Sequence, residues 1–214
     1  MIKIRIILCL IFLCRIAQAY ESPLFVSLGA DCLTTSMIKH FGKRQASFPF
    51  DWIVTPDETG FVQLLKSNFL HFIDDKYLAL HPINGRLLVH THYHMEFTHE
   101  KPEELEKFQT KYQRRIERFQ QLANYKGTVV FIRLLQPVYP NPDLYWFDYL
   151  PYANEKAYSL ELYDALKSLF PELDFKLITV SKTDAQNRME VYGNISMYYF
   201  SNVQEHRYWE CLFQ

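Results

Sequence analysis

Cysteine is scarce in this chain, and neither sign of charge dominates. Four of 214 residues are cysteine, and 23 Lys and Arg stand against 24 Asp and Glu. That balance argues against a general nucleic-acid binder, which needs a basic face to meet phosphates. No HExxH or paired-cysteine motif is present, which weighs against a dedicated zinc site. No motif for an organic cofactor stands out either, and none is expected. No internal repeat, low-complexity tract or long linker breaks the chain. Beyond the first residues no apolar run is long enough to cross a bilayer.

The N-terminus reads as a secretory signal peptide. Met1–Arg5 is a short basic region, Ile6–Cys14 an apolar core, and Ala17-Gln-Ala19 a small-x-small cleavage site. The expectation is a leader at 1–19, a single domain at 20–214 and a secreted or extracytoplasmic product. Loss of Lys3, Arg5 and Arg15 leaves 20 basic against 24 acidic residues, a net charge of −4. Loss of Cys9 and Cys14 leaves two thiols, Cys32 and Cys211. In an oxidising compartment two thiols suggest one disulfide, so a structural Cys32–Cys211 bridge stands as one reading.

The apolar pattern predicts strands at Leu24–Leu28, Val89–Phe97, Thr128–Leu135, Phe175–Val180 and Ile195–Phe200. It predicts helices at Cys32–Phe41, Thr59–Asn68, Pro102–Tyr125 and Glu155–Leu169. Strands alternating with helices define an α/β domain, and nearly continuous apolar strands imply a mostly parallel sheet flanked by helices on both faces. Ligands in such sheets bind beyond the carboxyl ends of the strands. Lys111, Arg114, Arg115 and Arg118 read as a solvated basic face of the long helix. A Pro- and Tyr-rich loop runs from Pro137 to Pro151. The chain is 16% aromatic, with 17 Phe and 15 Tyr, which fits a packed core or a lined groove equally.

Phe25-Val-Ser-Leu-Gly-Ala-Asp-Cys32 carries an apolar strand through a Gly turn and sets a cysteine at a helix start. Converging N–H groups and the helix dipole there favour thiolate, the reactive form. Asp31 suits the helix N-cap but opposes that ionisation if its carboxylate lies close. A cysteine nucleophile needs a base, and His90, His92, His94 and His99 cluster in one stretch. His99, at a strand end, is the candidate, with Glu100 beside it. Period-two spacing of His90, His92 and His94 raises a metal reading, but three same-face rings at strand spacing do not easily meet one ion. Arg133, at a strand end, suits an anionic substrate group or a carboxylate partner.

Ser27-Leu-Gly-x-x-Cys32, Ser47-Phe-Pro-Phe-Asp-Trp52, Phe97-Thr-His99-Glu100 and Tyr112-x-x-Arg115-x-x-x-Phe119 resemble a poorly characterised family described as putative papain-like cysteine peptidases. The resemblance is strongest from Ser27 to Trp52. It implies Cys32 as nucleophile, His99 as base, and Asp51 as an orienting or turn-fixing group; Trp52 is a substrate-contact candidate or else a core aromatic. It also offers an α+β papain-like arrangement as the alternative fold. Glu100 replaces the family's usual Asp, and no Gln precedes Cys32 as an oxyanion donor. The implied activity is hydrolysis or acyl transfer on a peptide, ester or glycan substrate. The competing class is a secreted binding module, stapled by Cys32–Cys211 and recognising ligands through Tyr139–Tyr152. The sequence does not specify a physiological partner or an oligomeric state.

Overall fold

Buried-strand runs and amphipathic helices alternate along the chain, and the computed structural model assembles them as an α/β sheet. It describes residues 22–135, 146–148 and 152–214. The expected leader, and most of the loop from 137 to 151, lie outside the described residues.

The principal sheet joins β1 (Leu24–Ser27), β5 (Val129–Leu134), β6 (Phe175–Lys182), β8 (Ile195–Phe200) and β7 (Arg188–Tyr192), in that spatial order. β1, β5, β6 and β8 are parallel, and β7 closes one edge antiparallel to β8. The helices are α1 (Cys32–His40), α2 (Glu58–Lys66), α3 (Leu105–Gln120), α4 (Glu155–Leu169) and a short α5 (His206–Trp209).

Both faces of the sheet are covered, as the apolar strands require. Val26, Val129, Phe131 and Leu177 face a core shared with α2, α3 and α4. Phe25, Val130, Ile132 and Ile178 face a second core formed with Met37 and Ile38 of α1 and with Trp209 and Phe213 near the C-terminus. The phenylalanines are largely core: Phe50, Phe69, Phe72, Phe97 and Phe119 pack ring against ring. Each such burial is worth roughly 1.5–3 kcal/mol.

The expected strand Val89–Phe97 is a hairpin. β3 (Leu88–His90) and β4 (Met95–Phe97) pair antiparallel, with β2 (Leu78–Leu80) as the third strand of a small sheet. His90 fixes the turn. Its Nε2 donates to the His71 carbonyl (3.0 Å), so Nδ1 is free to accept from the His92 and Tyr93 N–H groups (3.3 and 3.1 Å). Burial pushes this imidazole down to about 4, so it is neutral at physiological pH. His94 turns into the left-handed region at φ 51° and meets Asp57 Oδ2 at 2.7 Å. His90 and His92 both lie against the rings of Tyr77 and Tyr93, whereas His94 turns to Asp57. Among the described residues no group of three His, Cys, Asp or Glu is placed to hold a metal ion.

The basic face of α3 is also partly internal. Arg115 is buried with its guanidinium over the Tyr112 ring (5.2 Å), and Arg118 donates to the Ser47 carbonyl. Arg118 thus holds the start of the Ser47–Trp52 turn against the helix, while Arg114 stays exposed as the sequence suggests.

Candidate active site

The site grows from the carboxyl end of β1. The Leu28 N–H continues the parallel ladder onto the Ile132 carbonyl (2.8 Å), and then the chain breaks from the sheet. Gly29 and Ala30 both adopt positive φ, 76° and 80°. A Cβ at position 29 would sit a tight 3.2 Å from the Phe50 carbonyl, and glycine also takes the positive φ there without strain. Ala30 carries the backbone cost of its conformation, and its carbonyl is held by the Thr55 N–H (2.9 Å). Asp31 then caps α1, its Oδ1 accepting from the Leu33 N–H at 2.7 Å. Cys32 is the first helical residue.

His99 arrives from the other side, two residues past the end of β4. Residues 52–55 run beside that strand through the Val54–Glu96 bridge, which brings Trp52 and His99 together. Cys32 Sγ lies 3.3 Å from His99 Nε2. The Trp52 ring meets the imidazole edge to face, 5.9 Å between centroids. The thiol is half-buried and the imidazole is exposed, so the pair opens to solvent.

The electrostatics differ from the expectation of a ready thiolate. Burial pushes the Cys32 thiol above its ordinary value, the Asp31 carboxylate pushes it further, and a hydrogen bond from Thr98 pulls it back. The helix-terminus argument yields here first to burial of the thiol, and then to the capping carboxylate at the same helix end. Capping also consumes the Leu33 N–H, one of the donors expected for an oxyanion. This balance makes a prediction. Asp31→Asn keeps a competent N-cap and removes the charge, so the thiol should titrate at lower pH. Alkylation of Cys32 by iodoacetamide at pH 7 should rise severalfold; an unchanged or slower rate would remove Asp31 from the account.

The other expected site residues divide. Trp52 stands at the site. Asp51 is buried, and its Oδ2 accepts from Arg44 Nη2 (2.8 Å) and the Phe48 N–H (3.2 Å). Burial raises this carboxyl, and Arg44 is the largest opposing influence. Asp51 thus fixes the turn; no contact with His99 is seen among the described residues. Glu100 is engaged elsewhere, paired with Lys111 and accepting from the Tyr112 hydroxyl.

Arg133 is 1% exposed and donates to the Leu28 carbonyl (2.8 Å), the Thr55 hydroxyl and the Thr55 carbonyl (3.0 Å). Its guanidinium lies over the Phe61 ring at 4.1 Å. It pairs with backbone rather than a carboxylate, and a group so enclosed is not a surface for a substrate anion. Thr98 and Thr55 are site residues that the sequence alone does not single out. Thr98 lies within the Phe97–Glu100 block; Thr55 has no local signal. Cys32 and Cys211 are both free thiols, and Cys211 Sγ donates to the Tyr208 carbonyl (3.2 Å).

A thiol and an imidazole in contact at the carboxyl edge of a parallel sheet define a candidate cysteine-hydrolase-like site. The chain belongs to the family described as "Putative papain-like cysteine peptidase", matched over residues 23–184. It is 26% identical over 138 residues to an uncharacterised protein, R408, of Acanthamoeba polyphaga mimivirus. That alignment takes in 53% of this chain and spans 62% of the viral protein. No solved structure matches the chain significantly.

Proposed function

We propose that this chain is a secreted cysteine-dependent hydrolase or acyl-transfer enzyme, exported by its leader at 1–19. The observation that carries this reading is the 3.3 Å approach of Cys32 Sγ to His99 Nε2 by residues 67 apart in sequence. Family membership supports it independently.

The raised thiol sets the order of events. The thiol keeps its proton at rest, and Cys32 S–H donates to Nε2. As Sγ attacks the acyl carbon, Nε2 takes the thiol proton. The S–C bond forms, the carbonyl electrons move to oxygen, and in this reading the Cys32 N–H at the start of α1 is the backbone donor for them. Collapse expels the leaving group, which receives the proton from Nε2. Water then attacks the thioester with His99 again as base, and Cys32 is restored. Trp52 shields one side of the imidazole, and Thr98 steadies the sulfur.

Incubation with p-nitrophenyl acetate and intact-mass analysis tests the reading. A single acetyl group should appear and map to Cys32. It should be absent from Cys32→Ala, whose circular dichroism should match the parent. Labelling spread over lysines, and equal in Cys32→Ala, would overturn it.

A further inference from the structure

We infer that the leaving-group side of the substrate carries a carboxylate, bound in a basic pocket next to His99. This inference rests on the Cys32–His99 reading and adds a substrate class to it. A pocket of ≈ 320 Å³ has His99 itself as one wall. Its remaining polar lining brings the ammonium groups of Lys101, Lys107 and Lys111 around the carboxylates of Glu100 and Glu104, a formal excess of one positive charge.

The two carboxylates are already engaged. Glu100 is nearly buried, paired with Lys111 and hydrogen-bonded by the Tyr112 hydroxyl. Glu104 is shared between Lys107 (3.3 Å) and Lys101 (3.9 Å). Neither lysine is held tightly, for their side chains are 78% and 68% exposed, so both are free to turn toward an incoming anion. The floor is Phe108, an apolar surface suited to the stem of an acidic group. Helical spacing builds the arrangement: Lys107, Lys111 and Arg114 recur three to four residues apart on one side of α3, with Glu104 at its N-cap position. A second hollow, lined in part by Lys107, Lys111 and Arg114, continues the basic track along the helix.

The chemistry of the pair assigns this pocket to the leaving group. Nε2 must deliver its proton to the departing atom, so that atom and the group attached to it lie on the imidazole side of the sulfur. The pocket is on that side because it shares His99. The acyl portion, retained on Cys32, lies away from it.

Two acetyl esters test this, one of 4-hydroxybenzoate and one of 4-hydroxybenzamide, with rates of Cys32 acetylation divided by those of free cysteine. In each, the new bond from Sγ to the acetyl carbon replaces that carbon's bond to the phenolic oxygen, and the departing phenolate oxygen takes the proton from His99. Exposed charge pairs contribute modestly, so the carboxylate ester should lead by roughly 3- to 10-fold at low salt. That ratio should fall to one or below in the double variant Lys101→Glu, Lys107→Glu, and should also collapse near ~1 M NaCl, where the screening length is about 3 Å. Equal corrected rates for the two esters, or a ratio untouched by the double variant, would overturn the carboxylate pocket while leaving the catalytic pair standing. If neither ester acetylates Cys32, the catalytic reading fails and the substrate assignment falls with it.

Discussion

Arg133→Met should lower the unfolding free energy by about 3 kcal/mol and loosen the turn that carries Cys32. Two effects oppose one another. Removing the guanidinium relieves a buried charge that has no carboxylate partner among the described residues, a gain that an apolar replacement of similar length can realise. Against this stand three hydrogen bonds from a charged donor, each typically worth about 1.5–3 kcal/mol. Their loss leaves the Leu28 and Thr55 carbonyls and the Thr55 hydroxyl without these partners in the interior. The contact with Phe61 at 4.1 Å adds to the loss, since a desolvated cation–ring pair is worth about 2 kcal/mol. The losses exceed the relief. Arg133→Lys should also destabilise, because one ammonium cannot span Leu28 and Thr55 as the planar fork does.

The consequence for the site is geometric. Leu28 lies four residues before Cys32, and the Thr55 N–H holds the Ala30 carbonyl, so Arg133 pins both flanks of the strained turn. Urea titration at neutral pH should show a lower midpoint with an unchanged slope. Amide exchange should quicken first at Gly29, Ala30 and Thr55. A midpoint equal to the parent's would show that relief of the buried charge balances the bonds.

How much of this was legible in the sequence depends on where each element's partners lie. β5, α4 and β8 read clearly because their apolar residues follow the strand or helix period on their own. The α/β class emerged from them. β7 left no such mark: it is an edge strand, and Met189 and Val191 are more than half exposed. The small antiparallel sheet was hidden because β2 to β4 have three residues each, too few to establish a period. Its turn at His92–His94 contains no glycine and relies on the His90 ring for its hydrogen bonds.

The site shows the same division. Asp31 as a cap is a local fact and was readable; its effect on the thiol depends on distance in space. Arg133 is visible as a charged residue in an apolar run, but its partners Leu28 and Thr55 are 105 and 78 residues away. Lys111 looks solvated until Glu100 is seen beside it. Cys32 and His99 are connected in sequence only through the family blocks, since no spacing rule links residues 67 positions apart.

His99→Ala should slow Cys32 acetylation by roughly 10²- to 10⁴-fold near neutral pH, the range ascribed to a positioned acid–base group. The raised thiol makes the loss large. A cysteine with a depressed pKa would remain partly ionised without its histidine and would keep much of its reactivity. Here burial and Asp31 hold the proton on sulfur, so removal of the base leaves only a small thiolate fraction to attack at neutral pH. The pH profile separates this from simple damage to the site. In the variant the rate should climb about tenfold per pH unit until the thiol itself titrates, above the ordinary thiol range, because only hydroxide is left to take the proton. The parent should be far less dependent on pH over that interval, and the two should converge in alkali. Combining His99→Ala with Asp31→Asn should recover part of the neutral-pH rate by lowering the thiol's titration. A variant that stays slow at every pH would mean that His99 positions the loop rather than accepting the proton, and one that matches the parent at pH 7 would remove it from the chemistry.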